Sequence, residues 1–124
     1  MDNTKSCPVS TALNYVGKKW NIEIVKDIFF GAKSFSEFLR VHPELSAKVL
    51  SQKLRELEKN GIVTKDIVSK SPVKIEYNLT EKGKKLNKII YELAIFAIQT
   101  CPDELSSQQR SKASIANIKA VLKI

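Results

Sequence analysis

The chain is poor in the residues that carry out chemistry. It has a single histidine, His42, and two cysteines, Cys7 and Cys101. Those three cannot supply a four-ligand zinc site at any usual spacing. Two thiols in a reducing compartment are not a disulfide framework. The carboxylates lie scattered among lysines, without the paired spacing that acid–base catalysis needs. An enzyme is therefore not expected, nor a cofactor. No apolar run approaches the roughly 20 residues that span a bilayer. The start, MDNTKSCPVS, lacks the apolar core of a signal peptide. A cytoplasmic protein with no membrane partner is expected. There is no internal repeat and no sign of a second domain, so residues 1–124 read as one domain, long enough for a proper core. Nothing in the sequence names a small-molecule effector.

What the chain does have is positive charge in one place. Residues 46–88 hold eleven of the 21 basic groups but only five of the 13 acidic ones, and they account for most of the net charge of +8. A basic zone on a small domain favours a polyanionic partner.

That zone surrounds Leu45–Gly61, LSAKVLSQKLRELEKNG. Ser46 is a helix N-cap, and Asn60-Gly61 is a left-handed stop. Between them, Ala47, Leu50, Leu54 and Leu57 form one apolar stripe at helical spacing. Lys48, Gln52, Arg55 and Lys59 fall on the opposite face. Amide, guanidinium and ammonium groups are the ones that read guanine and adenine edges and grip phosphates. No stacking aromatic accompanies them, which counts against single-stranded nucleic acid.

The flanking segments give that helix a context. Pro8–Val16 is helical, with Val9, Ala12, Leu13 and Val16 on one side, and Gly17 breaks it. Trp20 reads as a core anchor before a second helix, Asn21–Phe30, which buries Ile24, Val25, Ile28 and Phe29. Ser34 and Glu37 make a capping box for a short helix, Ser34–Arg40, and Pro43 in the following link cannot continue it. A short helix, a turn and a polar-faced helix form a helix-turn-helix. The β-branched run Ile62–Val68 and the alternating run Val73–Leu79 read as paired strands. Their link, Ser69–Pro72, is a basic hairpin tip, with Lys70 and Lys74 placed to touch backbone or minor groove. Thr80 caps a long helix to about Thr100. Its early turns carry Lys82, Lys84, Lys85 and Lys88. Its later turns are apolar around much of the circumference, which a helix wetted on one side does not need. A final helix carries Ile115, Ile118 and Leu122. The fold class expected is mainly α with a small β-hairpin: N-terminal helices over 7–33, a helix-turn-helix over 34–60, a wing over 62–79, and long dimerisation helices over 80–124.

CPVSTALNYVGKKW, FSEFLR, LSAKVLSQKLRELEKNGIV and PVKIEYNLTEKGKKL, in that order and spacing, resemble the HxlR family of winged-helix regulators, related to the MarR regulators. The similarity covers roughly residues 7–100. Ala47 and Val73 stand where the family often has proline. The resemblance implies a homodimer that binds double-stranded DNA at a palindromic operator. It puts Ser46, Lys48, Val49, Ser51, Gln52 and Arg55 on the DNA-reading helix, with the wing beside it. It also implies a redox or electrophile sensor at Cys7, which stands ahead of the first proline as in many members. A thiol at a helix start is biased towards thiolate, and Lys5 would add to that bias. In a dimer whose first and fifth helices meet, Cys7 could approach Cys101 of the other chain. The alternative is a winged-helix protein–protein interaction module without specific DNA binding.

Overall fold

The computed structural model describes residues 7–124. It divides into two compact units, one ending at Gly83 and the other spanning Lys84–Ile124. None of its helices is long and apolar enough to cross a membrane.

In the first unit, α1 (Pro8–Val16) starts at a proline, whose missing amide is not needed in a first turn. No residue of α1 is buried, and Val9 and Leu13 are more than half exposed. Helix α2 (Lys19–Phe29) begins two residues before the spacing of its apolar residues suggests. Trp20 therefore belongs to its first turn. It is only half-buried, and its ring meets His42 edge-on with centroids 5.1 Å apart. Ile24, Val25 and Ile28 form the buried face. Gly31 ends the helix at φ +108°, a conformation that glycine adopts freely.

Helix α3 (Phe35–Val41) opens with the expected capping box. The Ser34 hydroxyl accepts the Glu37 amide at 3.3 Å and donates to the Glu37 carboxylate at 2.9 Å. That hydroxyl, helped by nearby backbone amides, holds the Glu37 pKa below its ordinary value. Phe38 is fully buried, and Phe35 and Leu39 are half-buried. Helix α4 (Ala47–Lys59) follows after the turn. Leu50, Leu54 and Leu57 are almost wholly buried. Ala47 shares their angular stripe but is exposed, because it sits in the first turn, beyond the reach of the core.

Strands β1 (Val63–Lys70) and β2 (Val73–Leu79) pair antiparallel from Val63 opposite Leu79. A bulge between Ile67 and Ser69 shifts the register, so that Lys70 faces Val73. Because β1 runs through Lys70, the tip is only Ser71-Pro72, shorter than the four-residue link read from the sequence. The hairpin docks through the Tyr77 amide, which donates to the Lys33 carbonyl at 2.7 Å, and through the Tyr77 ring, edge-on to Phe38.

The exit from α4 is tied down at three successive carbonyls. The Lys82 ammonium donates to Asn60 O at 2.9 Å, the Thr80 hydroxyl to Gly61 O, and the Thr80 amide to Ile62 O at 3.0 Å. The Thr80 hydroxyl in turn accepts the Gly83 amide at 3.0 Å. Gly83 is pressed so close that a Cβ there would lie 2.2 Å from Ile62 O. This segment does not run on as one long helix. A single turn, α5 (Glu81–Lys84), is followed by α6 (Asn87–Thr100). Gly83 is the weakest helix former in the stretch, and the clamp fixes its position.

In the second unit, α6 buries Ile90 and leaves Ile89, Leu93 and Phe96 exposed. A 3-10 turn at Pro102–Glu104 and a polar loop lead to α7 (Lys112–Leu122), capped by Ser111. Leu122 is fully buried, and its carbonyl accepts from Asn87 Nδ2 at 2.9 Å. Within the expected α7 stripe, Leu122 is thus spent inside the chain.

Two outcomes test this packing. Gly83→Ala forces a methyl against a carbonyl and should lower stability by about 1–3 kcal/mol in urea denaturation. The second concerns Glu56, which pairs with Lys18 at 3.3 Å and Lys53 at 3.4 Å. Burial pushes the Glu56 carboxyl up, but the two ammonium groups outweigh it and leave its pKa below the ordinary value. A depressed folded pKa contributes stability above the unfolded carboxylate pKa, and that stability is lost as pH falls through the folded value. Lys18→Met should therefore cost up to about 1 kcal/mol at pH 7. The difference from wild type should close as the pH drops below about 4.

Candidate nucleic-acid interface

Helix α4 is the one element whose two faces differ most in chemistry. With its leucines buried on one side, the helical repeat turns Lys48, Gln52, Arg55 and Lys59 to the other. All four are exposed. None of the four side chains makes a hydrogen bond or ion pair with another described residue. The carboxylates of the helix lie off this face. Glu56 is held by Lys18 and Lys53, and Glu58 lies close enough to Tyr77 of β2 to raise the phenol pKa, after the larger effect of burial. The array therefore presents donors that no carboxylate of the helix pairs with.

The other sequence-designated residues on α4 take different positions. The Ser46 hydroxyl accepts the Val49 amide at 3.1 Å, so it is engaged as the N-cap. Val49 and Ser51 are half-buried at the edges of the exposed face. On the hairpin, Lys70 and Lys74 are both exposed beside the Ser71-Pro72 tip, and neither is paired among the described residues. Lys82 belongs to a different group. Its ammonium is bound to Asn60 O and stands 4.3 Å from the centroid of the Tyr15 ring.

The turn that aims α4 depends on a residue pair that the spacing of apolar residues did not reveal. His42 Nε2 lies 2.6 Å from Asp27 Oδ2, with both side chains almost fully buried. Facing an acceptor-only carboxylate, Nε2 must donate. The Leu45 amide then closes the turn onto the His42 carbonyl at 2.9 Å. One signal was available: Asp27 falls on the side of α2 that carries Ile24 and Ile28, and a carboxylate there needs a buried partner.

Cys7 is the N-cap of α1 and is exposed. Its sulfur lies 3.2 Å from the Ser10 hydroxyl and 3.4 Å from the Ser10 amide. These bonds, the hydroxyl first, favour the thiolate and lower the pKa of the thiol. Lys5 lies outside the described residues. Cys101 is half-buried at the C-cap of α6, 3.4 Å from the Thr100 hydroxyl.

Comparison with known proteins agrees with this architecture. Residues 15–104 match the family model described as HxlR-like helix-turn-helix. The HTH-type transcriptional regulator YvaP of Bacillus subtilis is 39% identical over 100 residues, covering 80% of this chain and 93% of its own. YodB of the same organism, also an HTH-type transcriptional regulator, is 38% identical over 101 residues, covering 82% and 90%. Its reduced form superposes with a TM-score of 0.64 at 33% identity, over 78% of this chain and 96% of that one. YodB has also been solved after diamide treatment and bound to quinone. The redox regulator HypR, in its oxidised form, superposes at a TM-score of 0.71 and 35% identity, over 76% and 97%. These relatives are regulators rather than enzymes, and their winged helix-turn-helix is the architecture seen in α3, α4 and the β1–β2 hairpin. The chain belongs to the HxlR-like helix-turn-helix family of transcriptional regulators.

Proposed function

We propose that the protein regulates transcription as a homodimer on a palindromic operator, with α4 in the major groove and the β1–β2 wing beside it. The observation that carries this reading is the exposed, unpaired array of Lys48, Gln52, Arg55 and Lys59 on a helix whose opposite side is fixed in the core. Lys48, Ser51 and Gln52, nearer the start of α4, read base edges, with Val49 and Ser46 at the margin. Arg55 and Lys59 hold phosphate, as do Lys70 and Lys74 on the wing. Ile89, Leu93 and Phe96 form an apolar strip on α6 that a second subunit covers. Pairing through residues 80–124 sets the two recognition helices about 34 Å apart, one turn of duplex.

Cys7 is proposed as the thiol through which binding responds to oxidants or electrophiles. Its exposure and its bonds to Ser10 support this, as does the kinship with HypR, a redox regulator, and with YodB, whose quinone-bound form is known. Cys101 is the proposed partner, from the opposite subunit.

Fragments selected from the source genome by the purified protein supply the operator. On it, Gln52→Ala should lose about 1–3 kcal/mol of specific binding and relax base choice, while Lys70→Ala should weaken all duplexes alike and reduce the salt slope by about one. Equal affinity of wild type and Gln52→Ala for operator would refute the assignment of α4. No preference for any fragment would favour the interaction-module reading instead. Alkylating Cys7 with iodoacetamide should change operator affinity, and a Cys7→Ser variant should be indifferent to the reagent. Diamide should give a covalent dimer on a non-reducing gel that either Cys7→Ser or Cys101→Ser abolishes.

A further inference from the structure

Lys82 and Tyr15 are not used by the DNA-reading face, yet they meet at the end of the helix that carries it. We propose that Lys82 is a positioning residue for α4, and that through Tyr15 it ties the pose of that helix to α1. This inference rests on the DNA-binding reading above.

The contacts form a chain of short links within the first unit. The Lys82 ammonium donates to Asn60 O at 2.9 Å, the carbonyl at the C-terminal end of α4, where a cation also complements the helix dipole. The same ammonium stands 4.3 Å from the Tyr15 ring centroid, a cation–π distance. The backbone of Tyr15 is held in turn, its carbonyl accepting from Asn21 Nδ2 of α2 at 3.1 Å, and Asn21 is almost fully buried. A second link, Lys18 to Glu56 at 3.3 Å, joins the α1–α2 junction to the last turn of α4. The end of α1 is thereby fastened to α2 and to the tail of α4 at once.

Leverage makes this matter. Helix α4 has 13 residues, a length of about 20 Å at 1.5 Å per residue. Its C-terminal end is pinned by Lys82, whereas Lys48, Ser51 and Gln52 lie towards the other end. A tilt of about 5° at the pin moves the far end by roughly 2 Å. That is enough to break a base-edge hydrogen bond while leaving long, flexible phosphate contacts in place. Loss of the Lys82 bridge should therefore impair discrimination between sequences more than attraction to DNA.

The test measures full-length protein against the selected operator and a random duplex of the same length, at several salt concentrations. Lys82→Met should reduce the operator-to-random affinity ratio about tenfold, with random-duplex affinity and salt slope unchanged. Lys82→Arg, which keeps a cation and a donor, should restore the ratio. Tyr15→Leu should reproduce the loss, Tyr15→Phe should behave as wild type, and the Lys82→Met, Tyr15→Leu double variant should be no worse than either single one. Should Lys82→Met fail to fold, Tyr15→Leu against Tyr15→Phe gives the same reading. An unchanged ratio overturns the proposal, as do losses that simply add. So does a salt slope reduced by about one, which would mark Lys82 as a phosphate contact. A wild-type protein with no operator preference removes the DNA-binding reading itself, a result separate from any behaviour of the variants.

Discussion

Burial of Leu50, Leu54 and Leu57 is the constraint on which the rest depends. Each leucine removed from water stabilises the fold by about 1.5–3 kcal/mol, so α4 cannot roll about its axis without forfeiting several kcal/mol. A helix fixed in rotation has a fixed outer face. Lys48, Gln52, Arg55 and Lys59 are outside because the leucines are inside, and no contact of their own is needed to hold them there. Their freedom from partners is what leaves them available to a ligand. The two glutamates near the far end of the helix do not spoil the array, since Lys18 and Lys53 neutralise one of them and the other lies towards the wing.

Rotation about the axis is only one freedom to be removed. The entry turn is held by the buried His42–Asp27 pair, and the exit by three carbonyl bonds from Thr80 and Lys82. A short polar-faced helix is thus supported along one side and at both ends. That division of labour suits a reading element: rigid backbone, mobile side-chain tips.

Much of this was legible in the sequence, because it rests on local rules. The caps at Ser34 and Ser46, the glycine stops after α2 and α4, and the change of period after Gly61 are encoded within a few residues of where they act. The outward residues of α4 followed from its leucine spacing alone. What escaped notice depended on contacts between distant segments. In the sequence Lys82 is one of four lysines in the early turns of a helix, and only the fold brings it to Asn60 and Tyr15. His42 and Asp27 are fifteen residues apart. The exposure of Ala47 has a related origin: helical periodicity registers which side a residue is on, not whether anything lies opposite it.

The three carbonyl bonds at the exit of α4 are made by backbone atoms on one side and by Thr80 and Lys82 on the other, with Gly83 against Ile62. None of them involves a side chain between Lys48 and Lys59. The lettering on the proposed recognition helix and the bracket that mounts it are therefore written in separate parts of the chain. On the proposed DNA-binding reading, such a helix can be given a new outer face, and with it a new target sequence, without redesigning its mounting. A graft that carried residues 47–59 alone would inherit the bracket of the host, whereas one that extended through Ile62 would have to bring Thr80 to Gly83 with it.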